Sequence, residues 1–210
     1  MLMAMANSYE THITIDSSES RSVQRLAQFV ESRNMKWTQI LLNSGQVPDQ
    51  PMITFWGIGT LQIQLDRARS VCRELEDLEC SVVRLKVEKQ LYELDEANFQ
   101  SMDTSLIPEP TLYFEHHLKL LLESEANLVE LQKTIQPFDG RLSRNARRCR
   151  DDGLLERFVT QRAYKTSAKE SLDSVARLKR SLEDADFEII DTESECVLFD
   201  SNIDLDADWL

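Results

Sequence analysis

The chain has 210 residues, 41% of them hydrophobic, enough for one large domain or two small ones with a real core. Its 24 Lys and Arg against 37 Asp and Glu leave a formal charge of −13 and a pI near 4.7, which argues against binding duplex DNA or adhering to an anionic membrane. No apolar run reaches the roughly 18 residues that span a bilayer, and Cys72, Cys80, Cys149 and Cys196 are scattered without CxxC or zinc-finger spacing, so a soluble cytoplasmic protein with reduced thiols and no metal site is expected.

Thr11 to Ile15 (THITI) alternates polar and β-branched residues, a half-buried strand, and Asp16 with its serines opens a helix. In SRSVQRLAQFVESR the residues Val23, Leu26, Phe29 and Val30 share one helical face. Trp37 to Leu42 reads as a second strand, Ser44 to Pro51 as a loop holding one Gly and two Pro, and Ile53 to Ile63 as a third strand. A helix over Gln64 to Leu78 and a strand over Cys80 to Glu88 complete one β-α-β-β-α-β order. Residues 90–112 carry little periodicity and read as a linker. The order then restarts with a strand at Phe114 to Leu122, a helix at Glu125 to Ile135 and a turn at Pro137 to Gly140. Strands at Leu142 to Ala146 and Glu156 to Tyr164, a helix at Ser167 to Ala185 and a strand at Phe187 to Phe199 follow.

Residue matches support an internal duplication. Glu10 to Ile15 lies over Glu115 to Leu120, and Arg73 to Val83 lies over Arg180 to Ile190. The predicted fold is α+β: tandem duplicated ferredoxin-like βαββαβ units with antiparallel sheets, the first repeat at 9–89, the second at 113–200 and a solvated acidic tail at 201–210. Trp37, Trp56 and Trp209 read as core or anchoring residues.

In such a unit both helices cover one sheet face and leave the other for solvent, a second unit or a ligand. Alternation puts His12, Thr14, Arg84, Lys86, His117 and Lys119 on equivalent open faces, with Arg157 or Arg162 joining them according to register. Two such sheets facing a shared cleft predict a cationic site for a phosphate-bearing ligand, a nucleotide or an RNA end. The alternative is solvated strand residues paired with nearby acids. His116, on the side of Leu118, reads as a satisfied or edge histidine.

The THITI strand resembles the H-x-T/S signature of the 2H phosphoesterases, a superfamily of two related α/β lobes that includes RNA ligase-like and cyclic phosphodiesterase enzymes. The resemblance implies His12 and His117 as an acid/base pair and Thr14 as a holder of a phosphate oxygen, chemistry that suits imidazoles titrating near neutrality. The second copy reads His117-Leu118-Lys119, an amine replacing the hydroxyl. YFEHHLKL, LSRNARR, ERFVTQR and the closing DSN-x-x-LDA-x-W also resemble a group of bacterial conserved proteins of unassigned function, which implies a cytosolic bacterial setting and no activity.

Seven arginines fall between Arg141 and Arg162. Guanidinium groups grip phosphate or carboxylate through paired hydrogen bonds, which makes Arg144, Arg147, Arg148, Arg157 and Arg162 ligand-binding candidates. The alternative, from a different class, is a non-catalytic scaffold whose Arg-rich segment docks an acidic protein partner or a second copy of the chain. The acidic tail lacks the Gly and Glu of a calcium loop. No Walker loop, GxGxxG, GxSxG or HExxH occurs and no cofactor is implied.

Overall fold

The structure, a computed structural model, describes residues 8–18, 20–91, 112–145 and 150–207. The first half runs β1 (Ser8–Ile15), α1 (Ser20–Arg33), β2 (Lys36–Leu42), β3 (Asp49–Ile58), α2 (Leu61–Asp77) and β4 (Val82–Gln90). The second runs β5 (Tyr113–Leu122), α3 (Asn127–Ile135), β6 (Arg141–Asn145), β7 (Leu155–Tyr164), α4 (Ala168–Asp184) and β8 (Glu188–Asp200), and a 3-10 turn, Ile203–Asp206, follows. Local chemistry sets most boundaries. Thr60 and Ser167 cap α2 and α4 through their side chains, the latter in a full capping box with Glu170. Gly140 sits where a Cβ would lie 2.7 Å from Ile135 Cβ, so the turn after α3 requires glycine. The third strand starts earlier than its sequence pattern predicts, and it ends earlier because Gly59 at φ +132° breaks the extension before the Thr60 cap. Pro51 lies inside that strand, where β3 has a ladder partner on the β2 side and the pairing with β1 has already ended at Met52.

The expected pair of ferredoxin-like sheets across a cleft is not what forms. The eight strands of the described residues join one closed antiparallel barrel in the order β1-β3-β2-β6-β7-β5-β8-β4. Ile40–Leu42 of β2 pairs with Ser143–Asn145 of β6, and Lys86–Gln90 of β4 pairs with Glu195–Asp200 of β8. Edge strands carry unpaired N–H and C=O groups, and closing edge on edge removes the four free edges that two separate sheets would keep.

The helices lie outside this wall over two apolar clusters. One gathers Ile13, Ile15, Leu26, Phe29, Leu65, Leu75 and Val87; the other gathers Leu118, Leu120, Leu131, Ile135, Val159, Leu178 and Leu182. Because strand side chains alternate, the outward face is apolar and the inward face is polar. The tail is not a solvated end: Leu205 and Asp206 of the 3-10 turn are buried. Trp56 is 52% exposed rather than a core residue, and Trp209 lies outside the described residues.

Candidate functional site

The barrel encloses a cavity of about 280 Å³. Seven of the sequence-derived candidates line it: His12, Thr14, Arg84, Lys86, His117, Lys119 and Arg162. Arg157 faces outward to Glu125, Arg144 is exposed on β6, and Arg147 and Arg148 lie outside the described residues. Register decides between the two arginines of β7: Arg162 stands opposite Glu115 and Arg157 opposite Leu120.

The lining is not the uniformly cationic surface that the sequence predicts. Among the described residues, seven carboxylates (Glu10, Glu88, Glu115, Asp191, Glu193, Glu195 and Asp206) face five cations (Lys36, Arg84, Lys86, Lys119 and Arg162). The same two-residue alternation that selects His12 and His117, carried one step further along each strand, reaches Glu10, Glu88, Glu115 and Glu195. Lys36 is a further residue missed in sequence; it joins the site because it stands opposite Thr54 in the β2–β3 ladder.

Around each imidazole the wall repeats one register. His12 is flanked by Thr54 and Lys86, and His117 by Thr160 and Glu193; Glu10 stands beside Glu88 as Glu115 stands beside Glu195. His12 Nδ1 lies 2.8 Å from Thr54 Oγ1, and His117 Nδ1 lies 2.9 Å from Thr160 Oγ1. On the other ring nitrogen, His12 Nε2 contacts Glu88 Oε1 and lies 3.7 Å from Glu10. His117 Nε2 lies 3.9 Å from Glu115 and 3.7 Å from Glu195. Lys86 Nζ bridges the two halves, 2.6 Å from Glu115 and 2.8 Å from Glu88, so a continuous chain of charged and polar groups runs His12–Glu88–Lys86–Glu115–His117.

Electrostatics divide this lining into neutralised and unneutralised parts. Burial alone would raise the carboxyls of Glu88 and Glu115, but Lys86 with His12, and Arg162 with Lys86, outweigh it and hold both below the usual range. Burial would likewise deprotonate Lys86, yet Glu115 and Glu88 hold it charged. Glu195 and Glu10 shift the other way: burial, with neighbouring carboxylates, pushes both up. Burial also lowers His117, although 26% of its side chain remains open.

The 3-10 turn sends Asp206 into the cavity. Its Oδ2 accepts from Arg84 Nη1 and Arg162 Nη2 at 2.7 Å each, and its Oδ1 accepts from Gln50 at 2.7 Å. Asp200 takes Arg84 Nε and Nη2 at 2.9 and 2.6 Å. Every donor nitrogen of Arg84 is thereby used by the protein. Arg162 Nε donates to Glu115 at 2.7 Å, while its buried Nη1 has no hydrogen-bond acceptor. Lys119 lies 3.0 Å from Glu156 and above the Phe158 ring. His116 is fully buried on the opposite side of β5, held by Ser171 Oγ at 2.7 Å and Ser194 Oγ at 2.8 Å, and burial lowers it to about 4. Glu10, His12 and Glu88 offer one ligand atom each within 4.8 Å of one another, a grouping able to hold a metal ion. Among the described residues no helix is long and apolar enough to cross a membrane.

No family model and no curated protein matches the chain. Among solved structures it is similar to the small subunit of acetolactate synthase from Thermotoga maritima, at 9% identity and a TM-score of 0.33 over 89% of this chain and 92% of that one. It is also similar to chlorite dismutase from Candidatus Nitrospira defluvii in complex with imidazole, at 14% identity and a TM-score of 0.28 over 90% of each chain.

Proposed function

We propose that the barrel cavity binds a phosphate-bearing small molecule, a nucleotide or an RNA end, and that His12 and His117 act on its phosphodiester as an acid/base pair. The observation that carries this is the placing of two imidazoles in matching registers on one cavity, each with Nδ1 on a threonine hydroxyl and Nε2 beside glutamates. Their surroundings suit opposite roles. An ionised Glu88 can only accept, so it favours a proton on His12 Nε2, the acid. Burial favours neutral His117, the base. A water oxygen then bonds to phosphorus as His117 takes its proton; the bond to the leaving oxygen breaks as His12 supplies a proton, and the sum is water added across one P–O bond.

Anion binding within a carboxylate-rich lining is reasonable because several of its acids are already paired or held neutral. Glu88 and Glu115 share Lys86, Asp200 and Asp206 hold Arg84, and raised Glu10 and Glu195 favour their neutral forms. The Nη1 of Arg162 remains as a donor without an acceptor, and Lys36 adds positive charge to the same lining. The test is a turnover assay on 2′,3′-cyclic nucleotides, paired with calorimetric titration of inorganic phosphate and nucleoside monophosphates. His117→Asn should lower turnover by about 10²-fold or more while ligand still binds, the size of a general-base contribution. Absence of binding by every phosphate compound overturns the proposal.

A further inference from the structure

The matching registers differ in the charges that flank Glu10 and Glu115. In the second half, Glu115 has a resident cation, the Lys86 ammonium at 2.6 Å, contributed by the residue opposite His12. The residue opposite His117 is Glu193, and Glu10 stands opposite Trp56 where Glu115 stands opposite Arg162. Glu10 thus has neither the ammonium nor the guanidinium that its counterpart finds. Glu88, with 2% of its side chain exposed, turns Oε1 to His12, whereas its Oε2 makes no hydrogen bond and meets Lys86 Nζ only as an ion pair at 2.8 Å.

We propose that Glu10, His12 and Glu88 form a site for one divalent cation that prefers mixed oxygen and nitrogen donors, of the zinc or manganese class. The three side chains supply two carboxylate oxygens and one imidazole nitrogen, all within 4.8 Å of one another. The ion replaces the proton between His12 Nε2 and Glu88, and that proton leaves to solvent. Thr54 then accepts from Nδ1–H, the orientation that fixes a metal-binding imidazole. Among the described residues the matching group Glu115, His117 and Glu195 does not bring its three ligand atoms within that distance, so it takes no ion.

This site shares His12 Nε2 with the phosphate reading, and an ion there displaces the acid proton, so the site is tested without phosphate present. Zn²⁺ is titrated calorimetrically into the full chain in phosphate-free buffer, and imidazole C–H signals are followed as Mn²⁺ is added. The chain has three histidines, so the spectrum is readily assigned. The expected results are one Zn²⁺ per chain and paramagnetic broadening of His12 before His117 and His116. Glu10→Gln should weaken Zn²⁺ by about tenfold or more, and His117→Asn should leave it unchanged. Two ions per chain, binding indifferent to Glu10→Gln, or broadening that spares His12 in the unmodified protein would each overturn the proposal. So would the absence of any heat and any broadening.

Discussion

Acidification should unfold this protein partly through one residue that does not line the cavity. His116 has no exposed surface and sits between Ser171 on α4 and Ser194 on β8. Burial lowers its pKa from the ordinary 6.5 to about 4. Above pH 6.5 the ring is neutral in both folded and unfolded chains, and its contribution to stability is complete. As pH falls, the unfolded chain takes up the proton first, so stability is lost across the window from 6.5 down to about 4. A difference of about 2.5 pH units at 1.36 kcal/mol each is about 3 kcal/mol. The assay is urea unfolding at pH 7.5 and at pH 4, for the natural chain and for His116→Gln, which keeps polar contacts to both serines and cannot titrate. Carboxylates elsewhere change both proteins alike. The stability gap between them should therefore move by about 3 kcal/mol in favour of His116→Gln on acidification. Parallel pH profiles would refute the reasoning.

Lys86→Met should destabilise the fold by about 3 to 5 kcal/mol, because it leaves Glu88 and Glu115 buried without their shared cation. Adding Glu115→Gln should recover part of that loss, and denaturant midpoints of the single and double variants check both statements. Asp206→Ala removes the acceptor of Arg84, Arg162 and Gln50, and should cost about 3 kcal/mol; a loss below about 1 kcal/mol would mean that the 3-10 turn is not holding the barrel end. Activity limited by neutral His117 should rise with pH through a value below 6.5, because burial lowers that imidazole. A rise centred above pH 7 in the rate profile would point to another base.

Much of the local structure was legible because its causes are local. The apolar face of Leu26, Phe29 and Val30 identifies α1, Ser167 and Glu170 mark the start of α4, and alternation sorts His12 from Ile13 and His117 from Leu118. Barrel closure was not legible, since the pairing of Ile40 with Asn145 or of Val87 with Phe199 leaves no trace in either segment. That closure decides the chemistry. It brings Arg84 within reach of Asp200 and Asp206, and Lys86 within reach of Glu115, so charges that look free along a strand are paired across the wall. Much of the Arg-rich stretch meets a similar end: Arg150 pairs with Asp152, Arg157 with Glu125 and Arg162 with Glu115 and Asp206.

The most direct measurement is a histidine-resolved NMR titration of the full chain with a 2′,3′-cyclic nucleotide. His12 and His117 face the cavity, and His116 lies behind the wall as an internal control. Ligand between the two cavity imidazoles should shift the signals of both His12 and His117 along one saturating curve while His116 stays fixed. Saturation with neither cavity histidine moving, or with only one of them responding, would contradict the paired acid/base site.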